Sequence, residues 1–262
     1  MTYFEKIKHF LTQFGINTHQ LRMGIKGTIP LVSDYNKFKK QFEAQTDFKS
    51  IGFYPLLADR YDSAGVASGH YFHQDLYVAR KIFEATPSRH VDVGSRIDGF
   101  VAHVASFREI EIIDIRHIES KSKNIKFMQA DLMAESFSFP EKTPSLSCLH
   151  AIEHFGLGRY GDPIDLDGHK KGIKNLVSCL TDNGTLYLST PVGRPRIEFN
   201  AHRVFDIHYL LDIFSIHQLK LKSFAYVNDD GELIENADPY SEAGGRNFNL
   251  EYGCGIFELT KS

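Results

Sequence analysis

The 262-residue sequence has no run of eighteen apolar residues, which excludes a membrane-crossing helix and leaves only peripheral membrane contact open. Its cysteines are few. Cys148, Cys179 and Cys254 are odd in number, far apart and outside any CxxC pair, which argues against a disulfide framework or a thiolate zinc site and suits a reducing, cytoplasmic setting. An excess of basic charge is also missing: 30 Lys and Arg stand against 33 Asp and Glu, for a formal net charge of -3. The scattered basic residues give no footprint of a general nucleic-acid binder, so a small molecule or glycan is the expected partner. Internal repeats and low-complexity tracts are absent, and the pattern leaves the oligomeric state open.

What is present begins with Met1 to Phe14, where Glu5, Lys6, Lys8 and His9 interleave with apolar residues. That suits an amphipathic surface helix and not a secretory h-region. Aromatic residues and Gly/Pro punctuation at Gly52 to Pro55 and Ser63 to Gly69 set residues 1–65 apart as an N-terminal helical extension or cap. Residues 66–262 form the main domain, entered through a helix around Gln74 to Phe83.

From about Arg89 short β-branched runs alternate with helical patterns, as in a parallel sheet of βαβ units. Strands are expected at His90 to Val93, Glu111 to Ile115, Ile125 to Met128, Leu146 to Ile152 and Thr185 to Thr190. Helices are expected at Gly99 to Phe107 and Gly168 to Leu180, the latter stopped by Thr181-Asp182-Asn183-Gly184. Gln218 to Val227 and Gly253 to Thr260 suit an antiparallel pair at the sheet edge. The expectation is an α/β, Rossmann-like sheet of seven strands, mostly parallel with an antiparallel edge strand.

The segment Val91-Asp92-Val93-Gly94-Ser95-Arg96-Ile97-Asp98-Gly99 runs strand, glycine turn, helix, the place where doubly wound sheets bind ligands. Asp114 follows about twenty residues on, at the second strand end, where a carboxylate accepts ribose hydroxyls. Asp131 closes the third strand within reach of an adenine amino group. A pyrophosphate needs close glycine backbone and a bare helix N-terminus, but Arg96 and Asp98 stand there and Asp98 would repel phosphate. S-adenosylmethionine carries no phosphate, and its ammonium is attracted to a carboxylate such as Asp92. The cofactor set is therefore Asp92, Gly94, Ser95, Asp114, Ile115, Asp131, Leu132 and His150. For each acid alone, the plain alternative is a cap or turn residue.

After the fourth strand come His150-Ala151-Ile152-Glu153-His154-Phe155-Gly156-Leu157-Gly158-Arg159-Tyr160-Gly161-Asp162. His150 to His154 matches the HxxEH string of some zinc peptidases. Read as a strand tail, though, it separates the histidines by about 13 Å, too far to share an ion. A general base is the better role, since methyl transfer to a hydroxyl requires its proton to leave. His154 is the first candidate and Glu153 the second. His202, with Arg203, follows the fifth strand and faces an acceptor or merely satisfies loop backbone. His70, Tyr71, His73 and Asp75 either close the pocket or form a solvated turn. A divalent metal at Glu153, Asp162, Asp165 and Asp167 is the less favoured option, because such carboxylates are more often caps, and no metal ligand is assigned.

The segments Val91 to Arg96, Ile113 to Arg116, Glu153 to Asp162 and Glu198 to Arg203 resemble a bacterial and nematode family of unknown function with a class I methyltransferase-like core. The similarity runs from about Tyr54 to Arg203. The resemblance implies a seven-stranded methyltransferase fold with Asp92 and Gly94 at the methionine end, Asp114 at ribose and Asp131 at adenine. This chain departs from the class in lacking the alternating glycines of the first turn. Members resemble genes found among surface-polysaccharide enzymes, which points to O-methylation of a sugar. The competing reading is a catalytically weak or inactive binding or scaffold protein in glycan assembly; a nicotinamide-dependent oxidoreductase is disfavoured.

Overall fold

The computed structural model describes residues 3–44 and 48–262. The chain divides into two compact units, Met1–Val66 and Ala67–Ser262. In the first, the expected surface helix is α1 (Tyr3–Gln13); Met1 and Thr2 of that expectation lie outside the described residues. A second helix, α2 (Thr18–Phe42), is capped by Asn17, whose side chain accepts the Gln20 amide at 3.0 Å. Gly27 lies so close to the Leu57 carbonyl that a Cβ would sit 1.9 Å from its oxygen, so only glycine fits there. Among the described residues, no helix is long and apolar enough to cross a membrane.

The second unit runs α3 (His70–Ala85), β1 (Val91–Val93), a π-turn at Ile97–Val101 leading into α4 (Ala102–Ala105), β2 (Ile110–Asp114), β3 (Ile125–Gln129) and β4 (Thr143–Leu149). It continues through α5 (Gly168–Cys179), β5 (Leu180–Val192), the small hairpin β6 (Arg196–Glu198) and β7 (His202–Val204), α6 (Ile207–Ile216), β8 (Leu219–Val227), β9 (Leu233–Ile234) and β10 (Gly253–Lys261). The main sheet has the order β3-β2-β1-β4-β5-β10-β8-β9. β1 to β5 are parallel, and β10 lies antiparallel between β5 and β8. The seven expected strands are all present, and β9 adds a two-residue fringe.

Period-two alternation puts successive side chains of each strand into separate cores. Ile113, Leu146 and Leu188 pack on the face covered by α5 and α6, with Ile173, Leu176, Leu210 and Phe214. Ile112, Leu149 and Tyr187 pack with Val78 and Ile82 of α3, Phe100 of the π-turn and Val104 of α4. The helix α6 and the β6–β7 hairpin were not expected from the sequence. Apolar residues fill α6 so densely that helical periodicity is blurred, though the Asp206 cap, which accepts the Tyr209 amide at 3.0 Å, marks its start.

Two expectations need correction. β4 ends at Leu149, and His150 takes φ +49°, so the chain breaks from the strand and Ile152–His154 form a single 3-10 turn. The string His150 to His154 is thus no strand tail, and its side chains come much closer than an extended segment allows. Residues 181–184 are not a separate turn between α5 and the strand: α5 ends at Cys179, β5 starts at Leu180, and 181–184 form an irregularity inside it, where Asn183 takes φ +59° and the register with β4 shifts between Thr143 and Ser145.

Candidate active site

Strand order reverses between β1 and β4, and a cavity opens there at the carboxyl ends of the strands. Gly94, Asp114, Ile115, Asp131 and Leu132 line it from β1, β2 and β3, and His150, His154, Phe155, Tyr160 and Asp162 from beyond β4. Gly94 adopts φ +72° and its amide donates to the Ile113 carbonyl at 2.9 Å; a Cβ there would also press on Ala151 at 2.9 Å. One glycine is enough for this turn, and the helix after it begins as a π-turn.

The three expected acids are in three different situations. Asp92 is fully buried behind the turn and does not line the cavity. It accepts the Ser95 amide at 3.1 Å, the Ser95 hydroxyl at 2.7 Å and the Ser147 hydroxyl at 2.5 Å. Ser147 also meets His90 Nε2 at 3.1 Å, and Ser95 Oγ accepts the Leu149 amide at 3.2 Å, so the network bolts β1 to β4. Burial pushes the Asp92 carboxyl up to about 6. Ser95, likewise, is buried away from the cavity.

Asp114 borders the cavity, but Arg116 grips it, Nε to Oδ1 at 3.0 Å and Nη2 to Oδ2 at 2.7 Å. The Arg116 guanidinium lies 4.4 Å from the centre of the Tyr160 ring, so arginine and tyrosine together roof the space over Asp114. Asp131 accepts the Met133 amide at 2.8 Å, a local turn contact that leaves its other oxygen free to face a ligand. Asp98 is exposed and paired with Arg96, which answers much of the repulsion expected of it.

On the other wall, His154 Nδ1 lies 2.6 Å from the Ala201 carbonyl, which can only accept, so the ring proton belongs there and Nε2 keeps its lone pair. Arg159 Nη1 stands 3.2 Å and 3.4 Å from the two ring nitrogens. Burial lowers the His154 pKa below its ordinary value, with Arg159 and His150 adding to the effect against Glu153. Glu153 is 1% exposed and does not line the cavity; it meets His150 Nδ1 at 2.7 Å and accepts the Thr190 hydroxyl at 3.3 Å. Burial alone would raise the Glu153 carboxyl, yet His150 beside it holds it below the usual range.

His202 is half-buried with its ring centre 5.0 Å from that of Tyr252, outside the cavity. Arg203 does not face an acceptor: it is 3% exposed and donates to the carbonyls of Glu153, Phe155, Asp165 and Leu166, clamping the loop. Asp162 gathers the amides of Gly156, Gly158 and Tyr160, while Lys171 holds Asp165 and Lys170 holds Asp167. The acids Glu153, Asp162, Asp165 and Asp167 therefore point to separate partners.

In solved structures, the same architecture recurs in an S-adenosylmethionine-dependent methyltransferase from Clostridium acetobutylicum, at TM-score 0.50 and 11% identity over 87% of this chain and 99% of that one. A candidate sarcosine dimethylglycine methyltransferase from Galdieria sulphuraria matches at TM-score 0.51 and 12% identity over 72% and 86% of the two chains. The second unit has the class I methyltransferase fold. A third protein sharing this fold, the cyclase SpnF, matches at TM-score 0.50 and 12% identity over 71% and 80%, so the fold alone does not dictate the reaction. Within the methyltransferase-like core, residues 101–225 match a family described as Caenorhabditis protein of unknown function, DUF268. That span holds the segments Ile113 to Arg116, Glu153 to Asp162 and Glu198 to Arg203 and leaves out Val91 to Arg96. No curated protein matches the sequence significantly.

The sequence reading missed Arg116, Tyr160 and Arg159 at this site. A signal existed for the first: Arg116 sits two residues after Asp114, a spacing that lets a side chain fold back onto the carboxylate whose oxygen its own amide also meets at 2.8 Å.

Proposed function

We propose that this chain binds S-adenosylmethionine in the cavity at the tips of β1 to β4 and methylates a hydroxyl of a sugar or glycan-related small molecule. The observation that carries the reading is a cavity at the switch point of a methyltransferase fold, with carboxylates on one wall and an oriented neutral imidazole on the other. The residues fit the cofactor chemically. Ile115, Leu132 and Met133 offer apolar cover for a purine, Asp131 a free carboxylate oxygen, and Asp114 an acceptor for ribose hydroxyls. Arg116 must yield Asp114 for that contact, and its half-exposed side chain can swing to solvent while ribose hydroxyls take over the buried carboxylate.

When bound, the cofactor supplies an electrophilic methyl group on a sulfonium that leaves as a neutral thioether. The protein's part is to position, to keep water out and to accept the hydroxyl proton on Nε2 of His154. Calorimetry with S-adenosylmethionine and S-adenosylhomocysteine tests the reading: both should bind, and silence from both would end it.

A second reading rests on the Arg116 clamp and the Tyr160 ring above it. If the two stay closed, the fold serves as a binding or scaffold protein in glycan assembly without turnover. Both readings place the chain in the cytoplasm, in line with its buried thiols and with the lack, among the described residues, of a helix able to cross a membrane.

A further inference from the structure

Beside the cavity, His150 presents a feature that methyl transfer does not use. It is 7% exposed, its Nδ1 is engaged by Glu153, and its buried Nε2 meets no protein group but the Cys254 thiol. A lone pair so poorly satisfied is costly unless something occupies it. One ring nitrogen each from His150 and His70 and the sulfur of Cys254 all lie within 4.8 Å of one another. The three come from separate elements: His70 opens α3, His150 follows β4, and Cys254 sits in β10 opposite Pro191 of β5.

We infer that His70, His150 and Cys254 form a binding site for a zinc-type divalent cation. The donor set of two imidazoles and one thiolate is one zinc favours, and three protein ligands leave a fourth tetrahedral position for water or a substrate heteroatom. Donor atoms around tetrahedral zinc stand roughly 3.3–3.8 Å apart, so small side-chain rotations close the gap from 4.8 Å. Each imidazole also has an acceptor on its other nitrogen: the Glu153 carboxylate at 2.7 Å from His150 Nδ1, and the Tyr252 carbonyl at 3.1 Å from His70 Nε2. Acceptors in those places fix the tautomer so that the remaining nitrogen turns a lone pair to the metal. The rings of His70 and His150 lie with centres 5.2 Å apart and 17° between planes, so one of them must turn for both lone pairs to meet at one ion. Binding releases the thiol proton of Cys254 to solvent and leaves the sulfur as thiolate. His150 lines the cavity as well, so the ion would lie one side chain away from it.

Cobalt(II) added to the full-length, metal-stripped protein reads the site directly, with no methyl donor present. The parent should show a thiolate-to-cobalt charge-transfer band, strong tetrahedral d–d bands and a stoichiometry of one, and zinc(II) should displace the cobalt. Cys254→Ser should abolish the charge-transfer band, His150→Ala should weaken binding about 100-fold, and Glu153→Gln about 10- to 100-fold. Cys179→Ser should leave the spectrum intact. Should His150→Ala fail to fold by far-ultraviolet circular dichroism, His70→Gln on the half-buried ligand decides, with the same loss expected. A parent protein that shows no charge-transfer band, or a band that survives Cys254→Ser, overturns the site and leaves a thiol–imidazole contact in its place.

Discussion

At the tips of β1, β2 and β3, acids stand one per strand and each is engaged by groups close to it in sequence or on the next strand. Beyond β4, polar groups brought from His70, Ala201, Arg203 and Cys254 crowd around one short turn. The first region is built by repetition: strand, turn, helix, with a polar residue at every carboxyl end. The second is built by convergence, and the conformations of His150 at φ +49° and the 3-10 turn after it make sense only once distant segments have arrived. Substitutions in the first region should therefore act on binding or stability one contact at a time, whereas those in the second should act on chemistry.

The largest expected effect lies in the convergent region. His154→Ala should lower turnover about 100- to 10,000-fold with cofactor affinity little changed, measured as methyl transfer from radiolabelled donor. The pH profile sharpens this. Because burial lowers the His154 pKa from 6.5, the imidazole is neutral through the neutral range, and turnover should fall only as pH drops through a midpoint below 6.5. A midpoint above 6.5 would exclude His154 as the base.

Next comes Asp92→Ala, which strands the Ser95 amide and hydroxyl and the Ser147 hydroxyl in the core. Urea denaturation should show a loss of ~3 kcal/mol, and affinity per folded molecule should hardly change. If affinity fell while stability held, Asp92 would be a direct ligand contact after all. Asp114→Ala should show the reverse, weakening S-adenosylhomocysteine about 10- to 100-fold in calorimetry at little cost in stability. The smallest effect on binding has the opposite sign: Arg116→Ala frees Asp114 and should tighten binding by about fivefold, at a cost in stability because the carboxylate is buried. A variant that binds where the parent does not would instead favour the scaffold reading.

Much of this architecture was legible in the chain. Alternating β-branched runs and the helical spacing of Ile173, Leu176 and Val177 announced the sheet and α5, because apolar periodicity is a local consequence of having one side buried. α6 was not legible, since a helix buried on most sides shows little contrast between faces. The strand-end places of Gly94, Asp114 and Asp131 were legible from position alone, and all three line the cavity. The separate fates of the acids were not: whether a carboxylate at a strand tip faces a ligand, a serine or an arginine depends on which neighbour reaches it first. The histidine string was misjudged because extended geometry was assumed to continue past Leu149.

By itself the sequence determined the order of strands and helices, the glycine turn and the acid at each early strand end, all of which follow from interactions among residues a few positions apart. Only the tertiary structure decided that Asp92 binds Ser95 and Ser147 behind the cavity, that Arg203 clamps a loop, and that Cys254 meets His70 and His150. Those outcomes depend on contacts between groups far apart in the chain, and its local pattern carries no record of which distant group will close on it.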